Sequence, residues 1–114
     1  MTQPIIWHNP RCSKSRETLA ILEDKGFSPV VVMYLEVAPS QGEIRNTLAL
    51  LKIDASQLIR SGESLYKELE LANASEADLV NAMAEHPILI ERPVVFHNGK
   101  ASLGRPPSSV LRIL

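Results

Sequence analysis

The chain reads as an α/β domain: a mixed four-stranded sheet flanked by helices, with a helical insertion splitting a βαβ half from a ββα half. Three observations lead to this reading. A short apolar run, a helical stretch and a second apolar run open the sequence, which is the order of a parallel crossover unit. The middle carries helix-start signals at Ser40 and Ser75 and no strand pattern. The last third returns to extended patterning around an Asn-Gly pair, the strongest two-residue hairpin signal. Strand–helix–strand, helices, then strand–strand–helix fits one sheet with helices on its faces.

The first run is Ile5, Ile6 and Trp7, after Pro4. Turn formers break it at His8-Asn9-Pro10. Residues 13–25 favour helix, with Leu19 and Leu22 on one face and Gly26 where a C-terminal cap belongs. Residues 30–34 form the second strand; being β-branched and apolar on both faces, they are expected at the centre of the sheet. The insertion spans about residues 40–86. Ser40 and Glu43 form a capping box, and Ile44, Leu48 and Leu51 follow at helical spacing. Short helices are expected over residues 54–60 and 62–69. A further helix starts after Ser75, carries Leu79, Val80 and Met83, and stops at Pro87. Residues 93–97 and 100–103 flank Asn98-Gly99 as hairpin strands. A closing helix starts at Pro106-Pro107 and presents Val110, Leu111 and Leu114.

Composition narrows the function. At 114 residues the chain is the size of one domain, and 45% apolar residues can supply its core. Twelve basic and thirteen acidic residues leave a net charge of −1, without the basic stripe nucleic acid demands. No apolar run reaches membrane-spanning length. The N-terminus lacks the pattern of a secretory signal. With one cysteine there is no internal disulfide, and a reducing compartment, the cytoplasm, is the expectation. The three histidines make no metal-ligand pattern with that cysteine.

The cysteine is the sharpest signal. Cys12 falls between the first strand and the first helix. A helix N-terminus presents unpaired N–H groups and about half a positive charge, both of which stabilise a thiolate. Arg11, Lys14 and Arg16 add positive charge. A thiol with a pKa of about 8.5 is only slightly ionised at neutral pH, and such surroundings lower that value by one to several units. Ser13 and Ser15 can donate hydrogen bonds to the sulfur, and His8, at the strand end, can favour its ionised form. Cys12-Ser13-Lys14-Ser15 has dithiol-motif spacing with serine in the second position. Any adduct on Cys12 must therefore be resolved by an external thiol.

Arg60, Arg92 and Arg105 each stand at an element boundary, where sites are commonly built. A thiolate attacking an oxyanion meets like charge. Two unit charges 4 Å apart repel by about 4 kcal/mol at an effective dielectric near 20. Guanidinium groups stay charged and bind oxyanions through two parallel hydrogen bonds, so two or three of them offset the repulsion and orient the anion.

These pieces together resemble the glutaredoxin-dependent arsenate reductase family. The resemblance rests on His8-Asn9-Pro10-Arg11-Cys12-Ser13-Lys14-Ser15-Arg16, Tyr34-Leu35-Glu36, Leu58-Ile59-Arg60, His86-Pro87-Ile88-Leu89-Ile90-Glu91-Arg92-Pro93 and Gly104-Arg105-Pro106, and it runs from near residue 5 to residue 114. It implies a thioredoxin-like fold, a cis Arg92-Pro93 bond and no bound cofactor. It implies that Cys12 attacks arsenate, that His8 helps to lower the thiol pKa, and that Arg60, Arg92 and Arg105, with Ser15, hold the anion. Glutathione is then the co-substrate, and glutaredoxin the partner that resolves the mixed species. Two other functions fit the same residues: a glutathione-linked thiol transferase, and a regulator that binds a transcription complex without catalysis.

Overall fold

The computed structural model describes residues 3–114. They divide into two compact units: residues up to Val37 together with Arg92–Leu114, and the segment Ala38–Glu91.

The first unit holds the sheet. Its strands are β1 (Ile5–Trp7), β2 (Val30–Val32), β3 (Val94–His97) and β4 (Lys100–Leu103), in the order β2-β1-β3-β4. β1 runs parallel to β2, with Ile6 opposite Val31, and antiparallel to β3, with Ile6 opposite Val95. β3 and β4 form the hairpin, and Asn98 and Gly99 both take positive φ, 55° and 72°, as its two-residue turn requires. Helix α1 (Ser13–Asp24) connects β1 to β2 and is closed by Gly26 at φ 88°. Buried Ile6, Leu22, Val95, Val110 and Ile113 form the core, with Leu19, Ile21 and Leu114 packed against it.

Two expectations need correction here. β2 is an edge strand, not a central one; Val30 and Val31 are 52% and 42% exposed. An apolar β-branched run signals a strand but does not number its neighbours, and this one pairs on one side only. The closing helix is a 3₁₀ helix, Pro107–Ile113, and it buries Val110 and Ile113 while Leu111 is exposed. Three residues per turn place Ile113, not Leu111, on the face shared with Val110.

The second unit is helical: α2 (Gln41–Leu51), α3 (Ala55–Leu58), α4 (Ser64–Glu68) and α5 (Glu76–Glu85), with 3₁₀ turns at Leu71–Asn73 and Pro87–Leu89. The Ser40–Glu43 capping box forms in both directions, and Ser75 accepts from the N–H of Asp78. The α3 and α4 helices are shorter than their sequence patterns suggest. Buried Ile44, Leu48, Leu58, Val80, Met83 and Leu89 supply this unit's apolar interior. The Glu76 carboxylate accepts from the N–H of Ala55 at 3.0 Å, tying α5 to the start of α3. No helix among the described residues is long and apolar enough to cross a membrane.

Candidate active site around Cys12

Cys12 is the N-cap of α1, in extended backbone conformation (φ −96°, ψ 122°). The preceding loop holds it there. Asn9 does most of this: its carbonyl accepts from the N–H of Cys12 and its side-chain oxygen from the N–H of Arg11, both at 3.0 Å. The N–H of Arg16 returns to the Cys12 carbonyl at 3.0 Å, and the Arg16 guanidinium donates to the carbonyl of Pro10 at 2.8 Å. Asn9-Pro10 was legible as a turn, but nothing in the sequence marked Asn9 as the residue that fixes the nucleophile.

The thiol is half-buried. Burial pushes its pKa up, but the N–H groups of Ser15 and Lys14 and the Arg92 guanidinium outweigh that, and the net shift is downward. The sulfur closes no capping hydrogen bond of its own, so the two N–H groups act on it chiefly as helix-end dipoles. Arg105 approaches from the other end of the chain. One of its terminal nitrogens lies 3.8 Å from the sulfur while its Nε donates to the carbonyl of Arg92 at 2.8 Å. Arg92 and Arg105 thus converge on Cys12. The Arg92-Pro93 bond is cis, and so is Arg105-Pro106.

Gly104 makes the approach of Arg105 possible. Its N–H donates to the carbonyl of Pro93 at 2.9 Å. A Cβ there would lie 2.5 Å from the Thr18 hydroxyl on α1 and 2.6 Å from the Pro93 ring. Only glycine fits between the helix and the proline loop without displacing one of them. In the sequence the run Gly104-Arg105-Pro106 signals only its arginine; the glycine carries no separate signal.

His8 and Ser15 sit beneath the nucleophile. Both are buried, and His8 Nδ1 lies 2.6 Å from the Ser15 hydroxyl oxygen. That oxygen also accepts from the N–H of Asn9 at 3.0 Å. Burial, and then the nearby charge of Arg16, lower the His8 pKa and so favour the neutral ring. Ser15 is fully buried and its hydroxyl serves His8 and Asn9, so it acts on Cys12 through its backbone N–H. The sequence-based expectation is that this side chain meets the substrate or donates to the sulfur; its oxygen packs against His8 and Asn9. Lys14 is 3.9 Å from Glu17 in an exposed pair, so part of its charge is spent locally.

Arg60 belongs to the helical unit. Its N–H donates to the carbonyl of Leu89 at 2.7 Å, beside a bridge between Ile59 and Ile90. Its guanidinium stands 3.6 Å from Glu63 and 3.5 Å from Glu91.

Comparison with known proteins bears on this arrangement. A protein of Escherichia coli K12 named only as uncharacterized YfgD is 50% identical over 118 residues, spanning 100% of this chain and 99% of its own. An arsenate reductase of Haemophilus influenzae is 50% identical over 113 residues, spanning 96% of this chain and 97% of its own. A solved structure described as an arsenate reductase from Vibrio cholerae superposes with a TM-score of 0.95 at 50% identity, over 98% of each chain. The family model described as "ArsC family" matches residues 7–113, from the end of β1 through the closing helix, and the chain belongs to that family.

Proposed function

We propose that this protein reduces arsenate to arsenite, with Cys12 as nucleophile and glutathione and glutaredoxin as electron donors. The observation that carries the reading is the half-buried Cys12 thiol at the start of α1, its pKa lowered, with Arg105 3.8 Å from the sulfur. Membership of the ArsC family and 50% identity to a protein named arsenate reductase support the choice of oxyanion.

The reaction runs in three steps. The Cys12 thiolate attacks arsenic, a sulfur–arsenic bond forms, and one arsenate oxygen leaves as water after protonation. Arg92 and Arg105 offset the repulsion between thiolate and anion. A glutathione thiolate then attacks the Cys12 sulfur. The new S–S bond forms, the sulfur–arsenic pair passes to arsenic, As(V) becomes As(III), and arsenite departs. Cys12 is left as a mixed disulfide. The chain has one cysteine, so an external thiol of the glutaredoxin class attacks the glutathione sulfur and returns Cys12 as thiolate. His8 and Ser15 hold the loop beneath the nucleophile throughout. Such a cycle belongs in a compartment that keeps thiols reduced, the cytoplasm.

The test is arsenite production by purified protein supplied with arsenate, glutathione and glutaredoxin. Turnover is expected, and Cys12→Ser should lower it by at least about 10³-fold, as loss of a nucleophile does. No turnover of arsenate, with activity instead on a glutathionylated peptide, would replace the reductase reading with that of a thiol transferase.

A further inference from the structure

A groove of about 310 Å³ opens on the β2 side of the nucleophile loop, within the sheet unit. That volume is at the lower end of small-molecule sites. Its walls come from two stretches of chain. One is the loop that ends at Cys12, contributing His8, Asn9 and Arg11; the other follows β2, contributing Met33, Leu35 and Glu36.

Its charges are arranged unusually. Arg11 and Glu36 both line the groove and both are exposed. Neither side chain is in an ion pair or hydrogen bond among the described residues. Opposite charges on one groove that do not meet each other leave room for a ligand that carries both signs. A bare oxyanion is disfavoured there, because the Glu36 carboxylate repels it. Met33 and Leu35 add apolar lining to the same groove, suited to methylene groups. His8 adds a buried polar element. The ring is 6% exposed, its Nδ1 is engaged by Ser15, and its other nitrogen has no hydrogen-bond partner among the described residues.

The groove also adjoins the nucleophile along the chain. Asn9 lines the groove, and its carbonyl accepts from the N–H of Cys12 at 3.0 Å. Arg11 is the residue before the nucleophile. A tripeptide spans about 10 Å when extended. A tripeptide held at one end by Arg11 is held by the residue that precedes the nucleophile.

We infer that this groove is the co-substrate subsite: it binds a zwitterionic peptide thiol of the glutathione type, with Arg11 taking a carboxylate, Glu36 the ammonium group, and Met33 and Leu35 the carbon chain between them. The inference rests on the reductase reading for its purpose but not for its test. The anion and the thiol then approach Cys12 from different sides, the anion from Arg92 and Arg105, the thiol from the β2 side.

The experiment uses S-methylglutathione, which keeps both charges and cannot react. It is titrated into isotope-labelled protein while backbone amide signals are followed by NMR. Saturable shifts at Arg11, Leu35 and Glu36 are expected. Arg11→Glu and Glu36→Arg should each weaken binding by about tenfold or more, the scale of a lost charge-assisted contact. The double exchange should recover part of that loss, since it restores the charge pair in mirror arrangement. In turnover, Glu36→Arg should raise the KM for glutathione and leave the KM for arsenate within about twofold. Absence of saturable shifts at millimolar probe, or shifts centred on Arg92 and Arg105, would overturn the inference, as would an unchanged KM for glutathione in both single variants. Binding in the groove without any arsenate turnover would sink the reductase reading and leave the subsite standing.

Discussion

Arg105 and Arg60 look alike in the sequence and differ in the molecule. Each stands at an element boundary. In the sheet unit, Arg105 has its Nε anchored on the Arg92 carbonyl and a terminal nitrogen 3.8 Å from a thiol. In the helical unit, Arg60 faces two carboxylates, Glu63 and Glu91, at 3.6 and 3.5 Å. The first guanidinium is aimed by its backbone anchor, and its charge works on a sulfur that gains from it. The second shares its charge with acids of its own unit. Residue type and boundary position predict that an arginine is available; the neighbours brought by folding decide what it acts on.

Breaking the Arg105 side of this comparison should cost most. Arg105→Ala is expected to lower kcat/KM for arsenate by about 10²-fold, the scale of one lost transition-state donor. It should also move the Cys12 pKa upward, read as the pH midpoint of alkylation by iodoacetamide. Arg105→Lys should recover the pKa better than the turnover, since lysine supplies charge without the planar fork. A midpoint that stays put in Arg105→Ala would mean that Arg92 and the helix end account for the thiolate without it.

Arg60→Ala sharpens the other side. We expect the Cys12 alkylation midpoint to stay unmoved, because the Arg60 guanidinium pairs with Glu63 and Glu91 of its own unit. Its loss also removes one ion-pair partner from each of Glu63 and Glu91. Glu91→Gln should therefore lower stability in the wild-type background, read from the unfolding midpoint, by about 1 kcal/mol or less, and act less in Arg60→Ala. If the Glu91 change acts equally in both backgrounds, the two residues are not coupled.

The smallest expected effect concerns pH. The folded protein depresses the His8 pKa below its ordinary value of 6.5, so the unfolded chain binds more protons as pH falls through that region. Stability then rises with pH and is lost on acidification below about 6.5. His8→Asn should flatten this part of the curve, measured as urea midpoints between pH 7.5 and 5. An identical slope in wild type and variant would place the acid sensitivity elsewhere.

Most of the sheet unit was legible because its signals are local. Trp7 ends a strand, Cys12 precedes a helix, and Asn98-Gly99 turns a hairpin, each through its own few residues. What was not legible depends on neighbours far along the chain. The edge position of β2 is set by which strands flank β1, and Val30 to Val32 carry no record of that. The sequence leads one to expect a hydrogen bond from Ser15 to the sulfur. The fold brings His8 and Asn9 beneath it, and the hydroxyl goes to them instead. The short α3 and α4 helices illustrate the same limit from the other direction, since propensity over four or five residues cannot fix an end.

The close fit at Gly104 has a mechanical consequence. Thr18 belongs to α1, Pro93 opens β3, and Arg105 follows directly on the glycine. Helix, strand entry and guanidinium therefore move as one joint with no slack between them. A change of volume in the α1 packing, far from any reacting atom, would be felt as a change in where the positive charge points. In this molecule the tightness of the interior and the aim of the chemistry are the same property.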